Sequence, residues 1–590
     1  MVSSLRDIPG AHQPRRRQAP RGLRKPARRP SLDFTPGPLP DRRPQRRRLQ
    51  RSRRPVDLFV WALGLAAVAV AAWIGHTFWS STRIDVTVTG VENGQALTPA
   101  NAAALDIALA FASPDELFRS TLTLDGVDVK PDLTTADDAS ATVRISPQQL
   151  VTSELVAHAL DEGDHEIKVS VGRFLLGNSN FSWRYSVDSI APVIDLPPSL
   201  KPAPIDKQVT VRGAVEGGAS LTFAGKPLAT KNGRFTVTFD RPPAGVLRFE
   251  ATDKAGNQTA AATVVPVTYP EASRGVHMSA AAWANDELRA GVFALIDDGL
   301  IDTVELDIKD ESGMVGYRSK NPEALRIGAV SGDYDLAEVV RTLAAKDVRV
   351  VGRLVAFRDP VYAEAAWSED RPDEVLQTPE GEMLGAYGGF TNYAHVNVRN
   401  YNLDIALEAV SLGVKDILWD YIRRPEGDPA GMVVPGLVGP SSDSVASFLA
   451  EAHGSLRERG AYQGASVFGI AAASGDSIAQ DVPKMATAVD YLAPMLYPSH
   501  WGAGMYRVAN PIKQPGEIVA ASLADFQRIT EGTGVRLLPW LQDFTLYGVP
   551  YNDAEVRAQI DSAAALGVEG FLLWNPRVRY TAGALDPIAP

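Results

Sequence analysis

The sequence predicts a multidomain protein: a C-terminal (β/α)8 barrel of the TIM type, preceded by β-sandwich modules, one transmembrane helix and a disordered basic tail. Three observations support this prediction. The charge is divided sharply along the chain, and one stretch near the N-terminus is apolar over 24 residues. At about residue 271 the apolar pattern changes from simple alternation to strands that alternate with amphipathic helices.

Residues 1–55 are the basic tail. Lys and Arg exceed Asp and Glu by 14 over residues 1–54, whereas the rest of the chain has a net charge of -25. The tail is rich in Arg, Pro and Gln without apolar periodicity, so we expect it to be disordered. It could bind nucleic acid, but the apolar segment that follows favours a cytoplasmic tail that orients the chain. The absence of cysteine excludes disulfides and thiolate metal sites.

Residues 56–79, VDLFVWALGLAAVAVAAWIGHTFW, are predicted to be a transmembrane helix. Asp57 is the only formal charge, and about 20 apolar residues cross a bilayer as a helix. A signal peptide would have a shorter apolar core and small residues at its cleavage site, whereas this segment ends in HTFW. Because the Arg excess precedes the span, we expect a single-pass cell-membrane protein with a cytoplasmic N-terminus and extracellular C-terminal domains.

Two β-rich modules are predicted next, at 82–190 and 191–269. Runs such as RIDVTVTGV and HEIKVSVG recur about ten residues apart in the first, which is typical of a sandwich. In the second, ATDKAGNQT resembles the last hairpin of bacterial immunoglobulin-like modules, and we expect both modules to be immunoglobulin-like. Such modules serve as spacers or as glycan-binding or protein-binding units, and the sequence leaves both roles open.

Residues 271–585 are predicted to form the barrel, because eight strands alternate with helices over about 320 residues. An open doubly wound sheet is less favoured, since no Gly-rich phosphate loop follows a strand. The predicted strands are 275–279, 303–309, 348–357, 416–422, 468–474, 491–497, 535–544 and 570–576. The predicted helices include 284–299, 334–346, 401–413, 445–460 and 552–567.

Polar and aromatic side chains gather at the predicted C-terminal ends of these strands, where barrel enzymes place their active sites. Asp420 closes the fourth strand, and a charge there is costly unless it is paired or solvated. In the second strand Glu305, Asp307 and Lys309 alternate, so we expect all three to point into the barrel. The other candidates at the rim are Arg353, Arg423, Tyr497, His500, Trp501, Trp540, Gln542, Asp543 and Trp574.

Two carboxylates with aromatic platforms suit glycoside hydrolysis. One carboxyl protonates the leaving oxygen, and the other attacks C1 or activates water. The tryptophans could stack on sugar faces, and Arg353 or Lys309 could keep a neighbouring Asp ionised. A metal hydrolase and a serine hydrolase are less favoured, because H-E-x-x-H and a G-x-S-x-G after a strand are both absent. Structural alternatives stay open: a buried ion network in the second strand, a loop cap at His500, and core packing for Trp540 and Trp574.

Six sequence blocks, in order, resemble the putative glycoside hydrolase domain family over about residues 272–580. They are GVHMSAAAWAN, ELDIKDESGMVGYRS, GRLVAFRDPVYAEA, YNLDIALEAVSLGVKDILWDYIRRPEG, APMLYPSHW and PWLQDF. The resemblance implies a glycosidase-like (β/α)8 barrel. It carries the family's site onto Asp307, Lys309, Arg353, Asp420, Arg423, Tyr497, His500, Gln542 and Asp543. Arg424 stands where a bulky aromatic residue is usual and Trp501 where Tyr is usual, departures that concern the sugar more than the chemistry.

We therefore predict a membrane-anchored, extracytoplasmic glycoside hydrolase that acts on a cell-wall or extracellular polysaccharide. Asp420 is the predicted nucleophile or base, Asp543 the predicted acid, and Asp307 the rival for that second role. No cofactor, metal or nucleic-acid partner is expected, and the oligomeric state is left open. The alternative is a non-catalytic glycan binder that anchors the cell envelope and tolerates loss of either Asp.

Overall fold

The computed structural model describes residues 56–81, 84–129, 132–136, 140–173, 177–270 and 273–588. The chain divides into two units, Met1–Arg83 and Ile84–Pro590. The first unit contains the helix Val56–Ser81. Within that helix the side chains of 61–74 are described, and all of them are exposed. Among the described residues, no helix combines the length and apolarity needed to cross a membrane. The predicted disordered tail, 1–55, lies outside the described residues.

The second unit begins with two β-sheets that share one hydrophobic core. The first sheet has the order Val86–Thr89, Ile107–Phe111, Ala141–Ile145 and Asp132–Ala136. The second has the order Gln95–Leu97, Gly177–Val187, Gly163–Arg173, Ser120–Leu124 and Val127–Asp128. Short helices lie at Pro99–Ala103, Pro114–Phe118 and Pro147–Thr152. Alternate residues of the long strand, Ile167, Val169 and Val171, are fully buried, as a period of two requires.

A second β-rich region has a core of its own. Its sheets contain the strands Ile194–Asp195, Ala203–Pro204, Val209–Val215, Ser220–Phe223, Lys226–Pro227, Arg234–Phe239, Val246–Thr252, Gln258–Val264 and Val267–Thr268. The DKAGN turn joins Val246–Thr252 to Gln258–Val264. There the Asp253 carboxylate accepts hydrogen bonds from the backbone N–H groups of Gly256 (2.7 Å) and Asn257 (2.9 Å). This is an Asx-type turn, which accounts for the residues of the motif. The immunoglobulin-like character of both regions stays a prediction.

Eight parallel strands form a closed barrel in the C-terminal part. They are Arg274–Met278, Thr303–Lys309, Arg349–Val355, Asp416–Asp420, Tyr462–Phe468, Tyr491–Met495, Trp540–Gln542 and Phe571–Trp574. The first strand pairs with both the second and the eighth, so the sheet has no edge. This closure confirms the predicted TIM-type barrel. Three short strands accompany it, at Val315–Tyr317, Val330–Tyr334 and Arg536–Leu537.

Helices surround the barrel and follow most of its strands. The α-helices are Ala280–Ala284, Asp286–Asp297, Pro322–Arg326, Leu336–Ala344, Pro360–Ser368, Val396–Ser411, Ser441–Glu458, Ala471–Ser474, Val482–Ala486, Pro515–Ile529 and Asp553–Ala565. The 3-10 helices are Pro372–Glu374, Ala386–Gly388, Pro429–Gly431, Gly475–Ile478, Pro498–His500, Met505–Arg507, Pro511–Lys513 and Ala582–Ala584. The helix Pro515–Ile529 was not predicted.

The fifth strand lies at Tyr462–Phe468, not at the predicted 468–474. The predicted segment contains three successive alanines, which form the helix Ala471–Ser474 instead. The true strand contains Gln463, whose buried amide donates to the carbonyls of Leu449 (2.8 Å) and Ala488 (2.9 Å). Gln463 is buried because its amide has hydrogen-bond partners inside the protein, but a polar residue at that position kept the sequence pattern from indicating a buried strand.

A tyrosine cluster joins the second β region to the N-terminal end of the barrel. Tyr269 donates to Asp416 Oδ2 over 2.7 Å, and Tyr491 donates to Asp416 Oδ1 over 2.9 Å. Tyr462 donates to the Thr268 carbonyl over 2.7 Å. Side chains thus fill this end of the barrel, which leaves the opposite end for a site.

Candidate active site

A cavity of about 350 Å³ lies at the C-terminal end of the barrel strands. The last residues of the fourth, fifth and sixth strands line it: Asp420, Phe468 and Met495. Five Tyr and Trp side chains also line the cavity: Tyr421, Tyr497, Trp501, Trp540 and Trp574. Its charged lining is Glu311, Arg353 and Asp420, with His500 beside them. The cavity therefore combines broad apolar faces with two carboxylates and a guanidinium.

Arg353, on the third strand, is the centre of the charged group. Its Nε and Nη2 lie 2.8 and 2.6 Å from Asp420 Oδ2. Its Nη1 donates to Asp307 Oδ1 over 2.6 Å, and its Nη2 also bonds the Glu311 carboxylate. The Arg353 side chain is only 2% exposed. One buried cation thus fixes three carboxylates through charge-assisted hydrogen bonds.

His277 and Glu305 lie next to this group, on the first and second strands. They are register partners in adjacent strands, so their side chains share one face of the sheet. His277 Nδ1 lies 2.6 Å from Glu305 Oε2, and His277 Nε2 lies 3.6 Å from Asp307 Oδ2. The imidazole also packs on Trp574, with ring centroids 4.2 Å apart. His277 thus links the buried carboxylates behind the cavity to Trp574, which forms part of the cavity wall.

The buried charges shift pKa values in opposite directions. Burial raises the pKa of Asp307 to about 7, against the opposing effects of His277 and Arg353. Burial also acts to raise the pKa of Glu311, but Arg353 outweighs it and lowers that pKa to about 2. For His277 burial acts to lower the pKa, but Asp307 and Glu305 raise it overall. At neutral pH Glu311 is therefore ionised, whereas burial favours the protonated form of Asp307.

The backbone turns sharply directly after Asp420. Tyr421 has a φ of 47°, a left-handed conformation that costs a non-glycine residue about 1–3 kcal/mol. Its N–H donates to Asp420 Oδ1 over 2.7 Å, and its hydroxyl accepts a hydrogen bond from Arg358 Nη1 over 2.8 Å. The turn therefore fixes both the Asp420 carboxylate and the Tyr421 ring at the cavity.

The structure brings most of the predicted site residues together. Those that line the cavity are Asp420, Arg353, Tyr497, His500, Trp501, Trp540 and Trp574. Asp307 lies directly behind them on Arg353. Burial lowers the pKa of His500, so its imidazole is neutral at pH 7. Besides Asp307, four predicted residues lie outside the lining: Lys309, Arg423, Gln542 and Asp543.

Lys309 points out of the barrel, contrary to the prediction that it faces inward with Asp307. The pairing register with the third strand shifts between Asp307 and Lys309, so the alternation of faces is interrupted there. Lys309 Nζ lies 2.6 Å from Asp359 Oδ2 and donates to Asn402 Oδ1 over 2.8 Å. The buried ammonium therefore pairs with a carboxylate and with a helix of the outer layer.

Gln542 and Asp543 accept hydrogen bonds from loops near the cavity. Gln542 Oε1 accepts a hydrogen bond from Ser499 N over 3.1 Å, which positions the turn that carries His500. Asp543 accepts hydrogen bonds from Thr581 N (2.8 Å) and Thr581 Oγ1 (2.6 Å). Burial raises the pKa of Asp543 to about 6, although the Thr581 bonds oppose the shift. The structure places Asp543 under the C-terminal segment and not in the cavity lining.

Arg423 supports the wall from behind. Its guanidinium stacks on Phe468 at 4.3 Å and on Tyr421 at 4.8 Å, measured to the ring centroids. Its Nη1 lies 3.1 Å from Glu426 Oε2. Arg423 thus holds two rings that line the cavity, a role that its place in the sequence did not indicate.

Sequence analysis missed three residues of the site, namely Glu311, His277 and Tyr421. Glu311 lies in the loop after the second strand, within the block ELDIKDESG. Glu311 lies beyond the end of the strand, and barrel sites are built from the loops as well as from the strand ends. His277 stood in the block GVHMS at the end of the first strand, a signal that could have been used.

His277, Glu305 and Asp307 also form a group, among the described residues, whose ligand atoms lie within 4.8 Å of one another. Carboxylate and imidazole are common metal ligands. Arg353 and His277 already supply cationic or hydrogen-bonding partners to Asp307 and Glu305 at 2.6 Å each. The group is therefore an ion network.

The family described as "Putative glycosyl hydrolase domain" matches residues 275–580, more than half of the chain. The chain belongs to this family. The match covers all eight barrel strands except for the first residue of the first strand, and it includes the whole cavity lining. The barrel is accordingly a glycoside hydrolase domain, and the enzyme class predicted from the sequence is confirmed.

Several solved structures are similar to this glycosyl hydrolase family member, but their sequence identity to it is low. A hypothetical protein from Ruminiclostridium thermocellum is 28% identical, covering 32% of this chain and 96% of its own, with a TM-score of 0.27. The PgaB (BpsB) glycoside hydrolase domain from Bordetella bronchiseptica is 14% identical over 52% and 94%, with a TM-score of 0.40. The C-terminal domain of a chitinase-like protein from Desulfitobacterium hafniense is 12% identical over 54% and 96%, with a TM-score of 0.33. No curated protein matches the chain.

Proposed function

We propose that this glycoside hydrolase cleaves a cell-wall or extracellular polysaccharide with Asp420 and Glu311 as its two carboxylates. The observation that supports this pair is their attachment to one guanidinium inside an aromatic-walled cavity. Asp420 keeps the role of nucleophile or base that the sequence suggested. Glu311 takes the second role, in place of Asp543, because it is in the lining and 29% of its side chain is exposed.

The spacing of the pair favours a retaining mechanism. One oxygen of each carboxylate bonds Arg353 Nη2, and two oxygens on one nitrogen lie at most about 6 Å apart. Retaining enzymes separate their carboxyls by about 5–5.5 Å, and inverting enzymes by about 6.5–9.5 Å. Glu311 is ionised in the free enzyme, so it acts as the acid only after substrate separates it from Arg353 and its pKa rises.

The test uses the full-length protein with a panel of bacterial cell-wall and extracellular polysaccharides. New reducing ends are measured for the wild type, Asp420→Asn and Glu311→Gln. Glu338→Gln, an exposed glutamate on the helix Leu336–Ala344, is the matched control. Release by the wild type and by the control, but by neither site variant, supports the proposal. Full release by either site variant would remove that residue from the mechanism.

A non-catalytic glycan binder is the second candidate. The observation that favours it is that Arg353 occupies both carboxylates of the pair. A binder would retain glycan affinity in Asp420→Asn and would release no reducing ends from any member of the panel. Affinity measurements on the wild type and this variant separate the two functions.

We also propose that the chain is anchored in the cell membrane with the barrel outside. The support is the sequence, because the apolar run 56–79 extends beyond the side chains described in that helix, 61–74. The β-sheet regions between residues 84 and 268 would then act as spacers. Cell fractionation with and without residues 56–79, and protease treatment of intact cells, test the proposal. Recovery of the unaltered chain in the soluble fraction contradicts it.

A further inference from the structure

Arg358 is a cation next to the cavity that pairs with none of the described carboxylates. It lies three residues after the end of the third barrel strand, in the loop that follows. Within the described residues, no carboxylate oxygen approaches its nitrogens within 4.0 Å. Its guanidinium instead lies between two tyrosine rings, 5.0 Å from the centroid of Tyr387 and 5.1 Å from that of Tyr421. Tyr421 lines the cavity, so Arg358 is one side chain away from it.

One edge of this guanidinium is unused. Nη1 donates to the Tyr421 hydroxyl over 2.8 Å. Nε is buried and has no hydrogen-bond partner among the described residues. A buried donor without a partner is costly, and more so when it belongs to a charged group. Nη2 also has no hydrogen-bond partner among the described residues, but it is not among their buried atoms, so it can donate to a carboxylate from outside.

The neighbouring loops add positive charge. Arg423 pairs with Glu426 alone among the described carboxylates, and its Nε is also buried without a partner. Arg424 donates to the backbone carbonyls of Ser477 (3.0 Å) and Asp476 (2.8 Å) and is in no ion pair with a described carboxylate. These two loops therefore add two arginines and one glutamate next to Arg358. The excess contrasts with the net negative charge of the chain beyond its basic tail.

The arrangement is held in place by the fold. Arg358 pairs through its backbone with Phe390, and Thr391 N donates to the Phe357 carbonyl over 2.8 Å. These bonds fix the loop that carries Tyr387, whose hydroxyl donates to Glu426 Oε2 over 2.8 Å. Tyr387 is 46% exposed and offers a face to solvent next to the cavity. A positioned cation beside an exposed ring is a recurrent way to bind a charged sugar.

We propose that Arg358 and Tyr387 form a subsite for a sugar that bears a carboxylate, adjacent to the sugar that occupies the cavity. The carboxylate would bind Arg358 Nη2, because Nε is buried. Its negative charge would pair with a guanidinium that has no described carboxylate within 4.0 Å. This inference rests on the proposed function, since it names the class of polysaccharide: one that contains an acidic sugar.

The test compares one polysaccharide in two forms, so that only the charge differs. A uronic-acid-containing polysaccharide is used as it is and after reduction of its carboxyls to hydroxymethyl groups. The full-length wild type should cleave the acidic form with a kcat/KM at least about 10-fold higher. Arg358→Gln should lose about 10- to 100-fold on the acidic form and less than about 3-fold on the reduced form.

Two further variants separate charge from geometry. Arg358→Lys keeps the charge but loses the planar fork, so its kcat/KM on the acidic form should lie between those of wild type and Arg358→Gln. Arg528→Gln, whose arginine is 66% exposed on an outer helix, should change neither substrate. Equal losses on both forms in Arg358→Gln would mean that Arg358 only supports Tyr421, and would overturn the subsite.

A binding titration keeps this inference separate from the proposed function. Short oligosaccharides of the same polymer, acidic and reduced, are titrated into the wild type and Arg358→Gln at low and high salt. If neither polymer is cleaved, the proposed function fails, but a salt-sensitive preference for the acidic form that disappears in Arg358→Gln still supports the subsite. Equal affinity of the wild type for both forms overturns it.

Discussion

Asp420 and Asp543 occupy equivalent places in the chain, each at the end of a barrel strand, but their surroundings differ. Asp420 faces an open cavity and is bonded by Arg353 and by the backbone of Tyr421. Asp543 is covered by the C-terminal segment, and its oxygens accept from Thr581. A carboxylate at a strand end therefore marks a site only where the next loops leave it open. The loops decide the function of each position, and the strand supplies only its direction.

The largest expected effect is the loss of hydrolysis in Asp420→Asn and Glu311→Gln. Removing a positioned acid, base or nucleophile lowers kcat by at least about 10²–10⁴-fold. The amides keep the size of the side chains, so the fold should persist. Reducing-end release and circular dichroism on the same preparations check both statements. Activity within about 3-fold of wild type would contradict the catalytic roles of Asp420 and Glu311, and with them the functional difference from Asp543.

The next effect concerns Arg353, which distinguishes the Asp420 side of the rim from the Asp543 side. Arg353→Met leaves Asp307, Asp420 and Glu311 without their shared cation, and removing one partner of a buried ion pair costs about 3–5 kcal/mol. This loss of stability should shrink at acid pH, because carboxylates that lack the cation in the variant take up protons more readily. Urea unfolding at pH 7 and pH 4.5 measures it. Arg528→Met, in an exposed pair, is the control and should change stability by less than about 1 kcal/mol.

How far the site could be predicted follows from which contacts are local. The alternation of strands and helices and the end of the fourth strand are local patterns, and they placed Asp420 and Arg353 correctly in the barrel. The inward direction of Lys309 failed because a register shift depends on the neighbouring strand. The cover over Asp543 depends on Thr581, which lies 38 residues later in the chain. Long-range contacts of this kind leave no periodic trace in a sequence.

A third prediction uses the raised pKa of Asp307, the buried carboxyl behind Arg353. Its pKa of about 7 in the folded protein exceeds the value of about 3.9 in unfolded chains. The folded state therefore prefers the protonated acid, and the wild type loses stability as the pH rises from about 4 through 7. Asp307→Asn has no proton to lose, so its stability relative to wild type should rise by about 2–4 kcal/mol across that window.

Urea unfolding of Asp307→Asn and wild type at pH 4.5 and pH 8 gives this difference. Asp298→Asn, at an exposed aspartate, is the control and should show no such change. A stability difference that is the same at both pH values would show that Asp307 is ionised throughout and that Arg353 outweighs burial.

The smallest effect is expected at Asp543 itself. Asp543→Ala removes the acceptor of two hydrogen bonds from Thr581 and should lower the free energy of unfolding by about 1–3 kcal/mol. Thr581→Val removes only the hydroxyl bond and should cost less. Because neither residue lines the cavity, kcat/KM of both variants at 25 °C should stay within about 3-fold of wild type. Loss of hydrolysis in Asp543→Ala with unchanged unfolding would restore Asp543 as the acid, and the segment that carries Thr581 would then have to open during turnover.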